Sequence, residues 1–174
     1  DPEQDYVVVD VETTGGNTQW NRVTEIGAVR VRNGEMIEEW SSLINPQRRI
    51  PSKIVSLTGI TDDMVAEAPV FADIADEFRA FLDGAVFVAH RAKFDYGFIK
   101  TEYERIDQEF RCPTLCTVVE TRRHFPGLPS YSLANLSNHF RIALNSHHRA
   151  LCDARATAEI LLKINEKRMT QQEK

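Results

Sequence analysis

The chain has 174 residues, of which 42% are hydrophobic and 27% are charged, and its formal net charge is −5. This length and composition predict one compact domain with a full core, and the negative charge argues against a protein that binds nucleic acid through a strongly basic surface alone. No apolar run approaches the roughly 18 to 20 residues that span a membrane, and no secretory signal opens the chain. We therefore expect a soluble protein.

The cysteines indicate the compartment. Cys112, Cys116 and Cys152 form no CxxC pair and leave an odd count. This usage is typical of reduced thiols in a reducing environment. We expect buried or idle thiols and a cytoplasmic location.

The first part of the chain predicts three consecutive strands. Residues 6–11 form a β-branched run, and residues 24–31 and 36–44 have the composition of two further strands. Asn33 and Gly34, between the second and third runs, are a strong hairpin signal. At least two of these strands should therefore be antiparallel.

The rest of the chain alternates helices with short strands. Apolar residues at helical spacing predict helices over residues 61–66, 69–82, 94–105, 117–124, 132–139 and 150–167. Short strands are predicted over residues 85–89 and 111–115. The pattern implies an α/β fold with a mixed sheet of five strands, antiparallel at its start and parallel afterwards, flanked by helices. We assign residues 1–168 to one domain and 169–174 to a polar C-terminal tail or linker stub.

Acidic side chains stand at the edges of apolar runs. Asp10 and Glu12 are two residues apart on the first predicted strand, so both project to the same face. Asp95 follows the strand at residues 85–89, beyond whose carboxyl end an open α/β sheet usually binds ligands, although an aspartate at a helix start often only caps the helix. Because a carboxylate at the edge of an apolar core needs a cation or a hydrogen-bond network, this set predicts bound metal ions.

His148 and Asp153 form a second candidate group. They are five residues apart, which corresponds to about 140° around an ideal helix. If both face one site, His148 lies in the loop before the last helix and Asp153 lies in its first turns. A loop histidine suits proton transfer near pH 7. A histidine at such a place is more often a polar surface group, and His147 is a candidate for that role.

Three motifs in this order make the chain resemble a known family. DVETTG at residues 10–15, AHRAKFD at 89–95 and HHRALCDA at 147–154 resemble the three exonuclease motifs of the DnaQ-like exonucleases. The resemblance is strongest to the histidine-containing (DEDDh) branch, which includes the proofreading epsilon subunit and the PolC-type exonuclease domain of bacterial DNA polymerase III. The segments TEIGAV, LTGIT and YSLANL extend the resemblance over nearly the whole chain.

The resemblance implies an RNase H-like fold and the removal of nucleotides from a 3′ end. The positions that match the four metal-binding acids and the general base of the family are Asp10, Glu12, Asp95, Asp153 and His148. The positions that match substrate contacts are Thr13, Thr14, Leu57, Thr58 and Phe94, although packing in the core is an equal alternative for Phe94.

Two positions depart from the family pattern. Arg91 stands where the family usually has asparagine, and it could add a phosphate contact or lie in solvent. Gly16 stands where the family often has a bulky apolar residue. Neither position replaces a metal ligand, so we expect hydrolysis to be retained.

The ligand chemistry favours two Mg²⁺ or Mn²⁺ ions over zinc, because all the acids offer oxygen atoms. Two ions about 3.5 to 4 Å apart can activate a water molecule and stabilise the departing 3′ oxygen. The expected partner is a nucleic acid with a 3′ end, DNA more than RNA, and a DNA polymerase subunit or fused domain is a second candidate partner; no membrane is involved.

Three functions remain open at this point. The first is a 3′-to-5′ exonuclease acting on single-stranded or frayed DNA, in proofreading or repair. The second is an exoribonuclease of the same architecture, which would differ in how it treats the 2′-hydroxyl. The third is a noncatalytic module that binds 3′ ends and recruits a polymerase, although such a module has little need for two metal ions.

Overall fold

The computed structural model describes residues 3–172. Five strands form one mixed sheet in the order β3-β2-β1-β4-β5, in which β1, β2 and β3 are antiparallel and β1, β4 and β5 are parallel. This confirms the predicted sheet. The strands are β1 (Asp5–Thr13), β2 (Val23–Arg32), β3 (Glu35–Leu43), β4 (Ala85–Ala89) and β5 (Thr114–Cys116).

Seven helices occur within the described residues. They are α1 (Ser52–Thr58), α2 (Asp62–Ala66), α3 (Phe71–Leu82), α4 (Ala92–Arg105), α5 (Thr117–His124), α6 (Leu133–Phe140) and α7 (Ala150–Gln172). No helix in this part of the chain is long and apolar enough to cross a membrane.

The hairpin between β2 and β3 forms at the predicted place. Asn33 and Gly34 have φ angles of 51° and 76°. Two central residues in the left-handed region characterise the type I′ turn, whose twist matches that of the strands it joins. Asparagine and glycine adopt this conformation at low cost, so the local sequence is sufficient to place the turn.

The valines of β1 explain where the core lies. Val7 and Val9 pack on one face of the sheet against α3 and α4, and Val8 packs on the other face against α7. A central strand covered on both faces has an almost continuous apolar sequence. Alternation along the strand then places Asp10 and Glu12 on the same face as Val8, which is the face covered by α7.

Several element boundaries differ from the prediction by two residues or more, and one helix was not predicted. Helix α1 was not predicted, because it is only seven residues long and lacks a side-chain cap at its start. Strand β5 begins at Thr114, three residues later than expected, and α4 begins at Ala92, two residues earlier. Helix α7 includes residues 169–172, which the sequence placed in a polar tail. Residues 173 and 174 of that tail lie outside the described residues.

Candidate active site

The acids predicted from the sequence converge near the C-terminal end of β1. Carboxylate oxygens of Asp10, Glu12 and Asp153 lie within 4.8 Å of one another, and Asp153 comes from the first turn of α7. Asp95 comes from the first turn of α4, and its Oδ2 accepts a hydrogen bond from the backbone N–H of Val11 at 3.0 Å. This bond attaches Asp95 to the strand segment between Asp10 and Glu12.

Burial raises the pKa values of all four carboxyls, and repulsion from neighbouring acids adds to the rise for Asp10, Glu12 and Asp95. Burial is the main cause of the rise to about 8 for both Glu12 and Asp95, and the charge of Asp153 adds to each. Burial likewise raises the pKa of Asp10, with further contributions from the three neighbouring acids. The pKa of Asp153 is also raised by burial, although contact with His147 opposes this rise.

The cluster fits a divalent cation. Asp10 Oδ2 is buried and has no hydrogen-bond partner within residues 3–172. A buried carboxylate oxygen without a partner is costly, and a bound cation removes that cost. Because the converging donors are carboxylate oxygens, the site suits a hard cation. The acidic residues can therefore hold a divalent metal ion.

The raised pKa values predict how the metal-free protein responds to pH. Glu12 and Asp95 hold protons in the folded state up to about pH 8, whereas unfolded carboxyls lose theirs near pH 4. Between these values the folded state binds more protons than the unfolded state. The free energy of unfolding should therefore fall as pH rises, by up to about 1.4 kcal/mol per pH unit for each such proton.

Denaturant titrations in EDTA at pH 6 and pH 8 measure this effect. We expect the lower midpoint at pH 8, and we expect Mn²⁺ to reduce the difference because a bound cation replaces the protons. A midpoint in EDTA that is equal at both pH values, or higher at pH 8, would contradict the prediction.

The start of α7 is positioned by β2. Gly27 lies opposite Asp10 in the β1–β2 pair, and a Cβ atom at Gly27 would lie 2.5 Å from the Ala150 carbonyl carbon and from the Leu151 nitrogen. Only glycine allows the helix to approach this closely. The helix turn that carries Asp153 therefore lies directly against the strand.

Glu25 holds the same turn by hydrogen bonds. Its Oε1 accepts from the Ala150 N–H at 2.9 Å, and Arg149 donates to both carboxylate oxygens at 3.0 and 2.8 Å. Glu25 also lies opposite Glu12 in the sheet, where like charges repel, and the Arg149 guanidinium offsets this repulsion. Sequence reasoning did not single out Glu25 or Gly27, although a glutamate inside the apolar segment TEIGAV was an available signal.

The two histidines before α7 occupy different positions. His147 is exposed, and its Nδ1 lies 3.0 Å from Asp153 Oδ1. His148 lies in the loop with a φ of 70°, and its backbone N–H donates to Asp153 Oδ2 at 3.1 Å. The two rings stack with centroids 3.7 Å apart. Burial, followed by the neighbouring His147, lowers the pKa of His148, which favours its neutral form.

The two threonines after Glu12 are buried and form hydrogen bonds within their own loop. Thr13 Oγ1 donates to the Gly15 carbonyl at 2.6 Å. Thr14 Oγ1 donates to Asn21 Oδ1 at 2.9 Å and accepts from the Arg22 N–H at 3.0 Å. Their side chains therefore shape the loop that follows β1.

Two apolar side chains that were predicted to contact substrate face solvent. Leu57 is 53% exposed at the end of α1, and Phe94 is 40% exposed with its ring 4.9 Å from that of Phe98. The Phe94 ring is therefore partly packed against Phe98 and partly exposed to solvent. Thr58 is buried, and its hydroxyl donates to the Ile54 carbonyl at 2.9 Å.

Arg91 is exposed and has a left-handed backbone, with φ 73° and ψ 64°, at the start of α4. Asparagine adopts this conformation more readily than arginine, which gives a backbone reason for the asparagine that the family usually has here. Within residues 3–172 the Arg91 side chain forms no hydrogen bond or ion pair, so its charge is available to a ligand.

Arg149 and Arg155 each form an ion pair with a glutamate. The distance from Arg155 Nη2 to Glu39 Oε2 is 2.6 Å, and the distance from Arg149 Nη2 to Glu25 Oε2 is 2.8 Å.

The three cysteines are free thiols. Burial raises the pKa of Cys112 to about 11, which keeps this thiol protonated and unreactive at neutral pH.

Together, the mixed sheet and the carboxylates grouped near the C-terminal end of β1 have the arrangement of an RNase H-like nuclease, a class that typically uses divalent metal ions. The sequence model of the family described as Exonuclease matches residues 7–161. The chain belongs to this exonuclease family, so the DnaQ-like assignment made from the motifs is confirmed and the protein is an enzyme.

Individual relatives agree with this assignment. The chain is 40% identical over 159 residues to a PolC-type DNA polymerase III from Clostridium perfringens, covering 91% of this chain and 11% of that protein. The chain thus spans about a tenth of the length of the curated relatives it matches.

Two solved structures show the same fold. Exonuclease X, in complex with 5′ overhanging duplex DNA, superposes with a TM-score of 0.77 at 29% identity, covering 91% of this chain and 90% of that one. The nuclease domain of 3′hExo, a DEDDh family member bound to rAMP, has a TM-score of 0.82 at 14% identity and covers 94% of this chain and 92% of that one. The RNase H-like fold is therefore confirmed.

Proposed function

We propose that the chain is a metal-dependent 3′-to-5′ exonuclease that releases nucleoside 5′-monophosphates from single-stranded or frayed DNA ends, in proofreading or repair. The observation that carries this proposal is the cluster of Asp10, Glu12 and Asp153 oxygens in a chain of the exonuclease family. DNA is favoured over RNA because the curated relatives are DNA polymerases and exonuclease X is described with DNA. The proposal includes a polymerase subunit or fused polymerase domain as a partner, and the cytoplasm as location.

In this proposal the metal ligands are Asp10, Glu12, Asp95 and Asp153. Two bound Mg²⁺ or Mn²⁺ ions would supply charge that activates a water molecule and stabilises the departing 3′ oxygen. The backbone N–H of Val11 keeps the Asp95 carboxylate oriented, and the Glu25 contacts with α7 keep Asp153 in place.

His148 is the proposed general base. Its imidazole would accept the proton of the attacking water, and its lowered pKa keeps it neutral and able to do so near pH 7. Its loop position, before the first turn of α7, leaves the ring close to Asp153 without making it a regular helix residue.

The substrate contacts belong to the same proposal. Exposed Leu57 and Phe94 offer apolar surfaces to the terminal base, and Arg91 offers an unpaired guanidinium to a phosphate. Thr13, Thr14 and Thr58 shape the adjacent backbone through the hydrogen bonds of their hydroxyls.

The His148→Ala variant is expected to bind Mn²⁺ and single-stranded DNA as the wild type does, but to lose turnover by about 10²- to 10⁴-fold, the usual contribution of a general base. Single-turnover rates with saturating enzyme measure the loss independently of binding.

His147→Ala is the matched comparison, because the His147 ring contacts Asp153 directly. We expect its loss of turnover to be clearly smaller. If His148→Ala kept the wild-type rate, or if His147→Ala showed the larger loss, His148 would not be the base.

The proposed function is tested by a time course on 5′-labelled single-stranded DNA and a matched RNA, with Mg²⁺ or with EDTA. We expect shortening from the 3′ end only with Mg²⁺, and faster on DNA. Faster shortening of RNA would make the chain an exoribonuclease. Binding of both strands without shortening would indicate the noncatalytic recruitment module instead.

A further inference from the structure

Trp20 is the most exposed large hydrophobic side chain in the part of the chain that the structure describes. It is 70% exposed and lies in the loop between β1 and β2. Single exposed hydrophobic residues are common on protein surfaces. Trp20 differs from such residues in the hydrogen bonds that fix its loop and in the basic segment that contacts its backbone.

The backbone that carries Trp20 is fixed although it has no regular secondary structure. Arg48 Nη1 donates to the Trp20 carbonyl at 2.7 Å, and Arg105 Nη2 donates to the Thr18 carbonyl at 2.8 Å. The side chain of Asn21 donates to the Asn17 carbonyl at 3.0 Å. These bonds hold the backbone of the loop at a defined place on the surface, which lowers the entropy that a ligand must remove on binding.

The same loop is attached to the strand that carries the acids. Asn21 Oδ1 accepts from Thr14 Oγ1 at 2.9 Å, and Thr14 follows Glu12 by two residues. Because consecutive Cα atoms are about 3.8 Å apart, Trp20 lies within the length of a few nucleotides from the acid cluster. A strand whose 3′ end occupies that cluster therefore needs only a few nucleotides to reach as far as Trp20.

Basic side chains lie on the segment that contacts the Trp20 backbone. The Arg48 guanidinium bonds to the carbonyls of Trp20 and Arg49 and to the Asn21 amide oxygen, and it forms no ion pair with a carboxylate within residues 3–172. Arg49 and Lys53 are exposed on the adjoining segment. Proteins that bind single-stranded nucleic acid combine positive charge with exposed aromatic rings, and the segment that contacts the Trp20 backbone supplies that charge here.

We propose that Trp20 stacks on a nucleobase of the bound strand upstream of the terminal nucleotide, with Arg48 beside it to attract the phosphate backbone. This inference rests on the proposed function, and it adds a binding position outside the terminal nucleotide site. The indole presents a flat apolar face to any base, so the contact strengthens binding without selecting a sequence.

The first test compares two substrates: a single-stranded oligothymidylate and the p-nitrophenyl ester of thymidine 5′-monophosphate, which carries one nucleotide. In Trp20→Ala, the ratio of kcat/KM for the oligonucleotide to kcat/KM for the ester should fall about five- to a hundredfold, because stacking is worth roughly 1–3 kcal/mol per base. The fall should arise in KM, and Trp20→Phe should recover part of it. In the control variant Met169→Ala, which removes another exposed side chain, on α7, the ratio should stay within about twofold.

The second test measures binding without catalysis. The sequence has two tryptophans, and Trp40 packs against Phe78 with ring centroids 5.2 Å apart, so Trp40→Phe leaves Trp20 as the reporter. Oligothymidylate added in EDTA should quench its fluorescence.

Either an unchanged kcat/KM ratio in Trp20→Ala or unquenched fluorescence in Trp40→Phe overturns the inference. If the wild type hydrolyses neither substrate, the proposed function fails, and the fluorescence titration alone decides whether Trp20 contacts the strand.

Discussion

The Asp10→Asn variant should lose hydrolysis almost completely while the metal-free protein becomes more stable. Asp10 Oδ2 is buried without a hydrogen-bond partner, and burial and three neighbouring acids raise the pKa of this carboxyl. Asparagine has nearly the same shape and no charge. In the metal-free folded state at pH 8 this carboxyl either carries a buried charge or holds a proton that the unfolded chain releases, and both cost free energy. Asparagine avoids both costs, so we expect the free energy of unfolding in EDTA at pH 8 to rise by about 1 kcal/mol or more.

The same substitution should remove the stabilisation that metal provides. A ligand at a hundred times its Kd stabilises the folded state by about 2.7 kcal/mol, and we expect the wild type to show such a rise in Tm with Mn²⁺ whereas Asp10→Asn shows little. The turnover of single-stranded DNA should fall by at least about 10³-fold, because the proposed reaction depends on the charge held at this position.

Thermal scans with EDTA and with Mn²⁺, together with the nuclease time course, measure these effects. Asp76→Asn, an exposed aspartate of α3, is the control and should match the wild type in all three. Substantial turnover by Asp10→Asn, or a lower Tm in EDTA than the wild type, would mean that the acids do not form a repulsive metal site.

The second large effect is expected for Gly27→Ala, at a position with no catalytic group. A Cβ atom there would lie 2.5 Å from the backbone of α7 at Ala150 and Leu151. The helix start must move away, and overpacking of this kind costs about 1–3 kcal/mol. Since Asp153 lies in that turn, a shift of about 1 Å could lower kcat by about 10²-fold.

Gly97→Ala is the matched control for this prediction. Gly97 lies in α4, and an added Cβ would meet only Thr18 Cγ2 at 3.9 Å, an ordinary contact. Because alanine favours a helix over glycine by about 0.5–1 kcal/mol, this variant should be at least as stable as the wild type and equally active. Wild-type turnover in Gly27→Ala would show that the position of α7 does not limit the reaction.

Local rules explain which features the sequence could predict. The alternation of side chains along a strand places Asp10 and Glu12 on one face whatever the rest of the chain does. The turn at Asn33 and Gly34 depends only on the two residues that form it. Both features follow from backbone geometry over a few residues, and both were predicted.

Contacts between distant parts of the chain explain what could not be predicted. Glu25 and Arg149 are 124 residues apart, and no periodic pattern links them. Gly27 matters because a helix backbone crosses it, which its own strand does not reveal. His147 and His148 make different contacts because of the geometry of their loop. Two adjacent identical residues in a sequence do not reveal how that loop orients each side chain.

The most direct measurement of the central claim is anomalous diffraction from crystals grown with Mn²⁺ and thymidine 5′-monophosphate. The proposed mechanism predicts two manganese peaks among the carboxylate oxygens of Asp10, Glu12, Asp95 and Asp153. His147, His148 and Asp153 form the alternative group that could hold an ion. Manganese found only at that group, or no manganese at the four acids, would contradict the proposed mechanism.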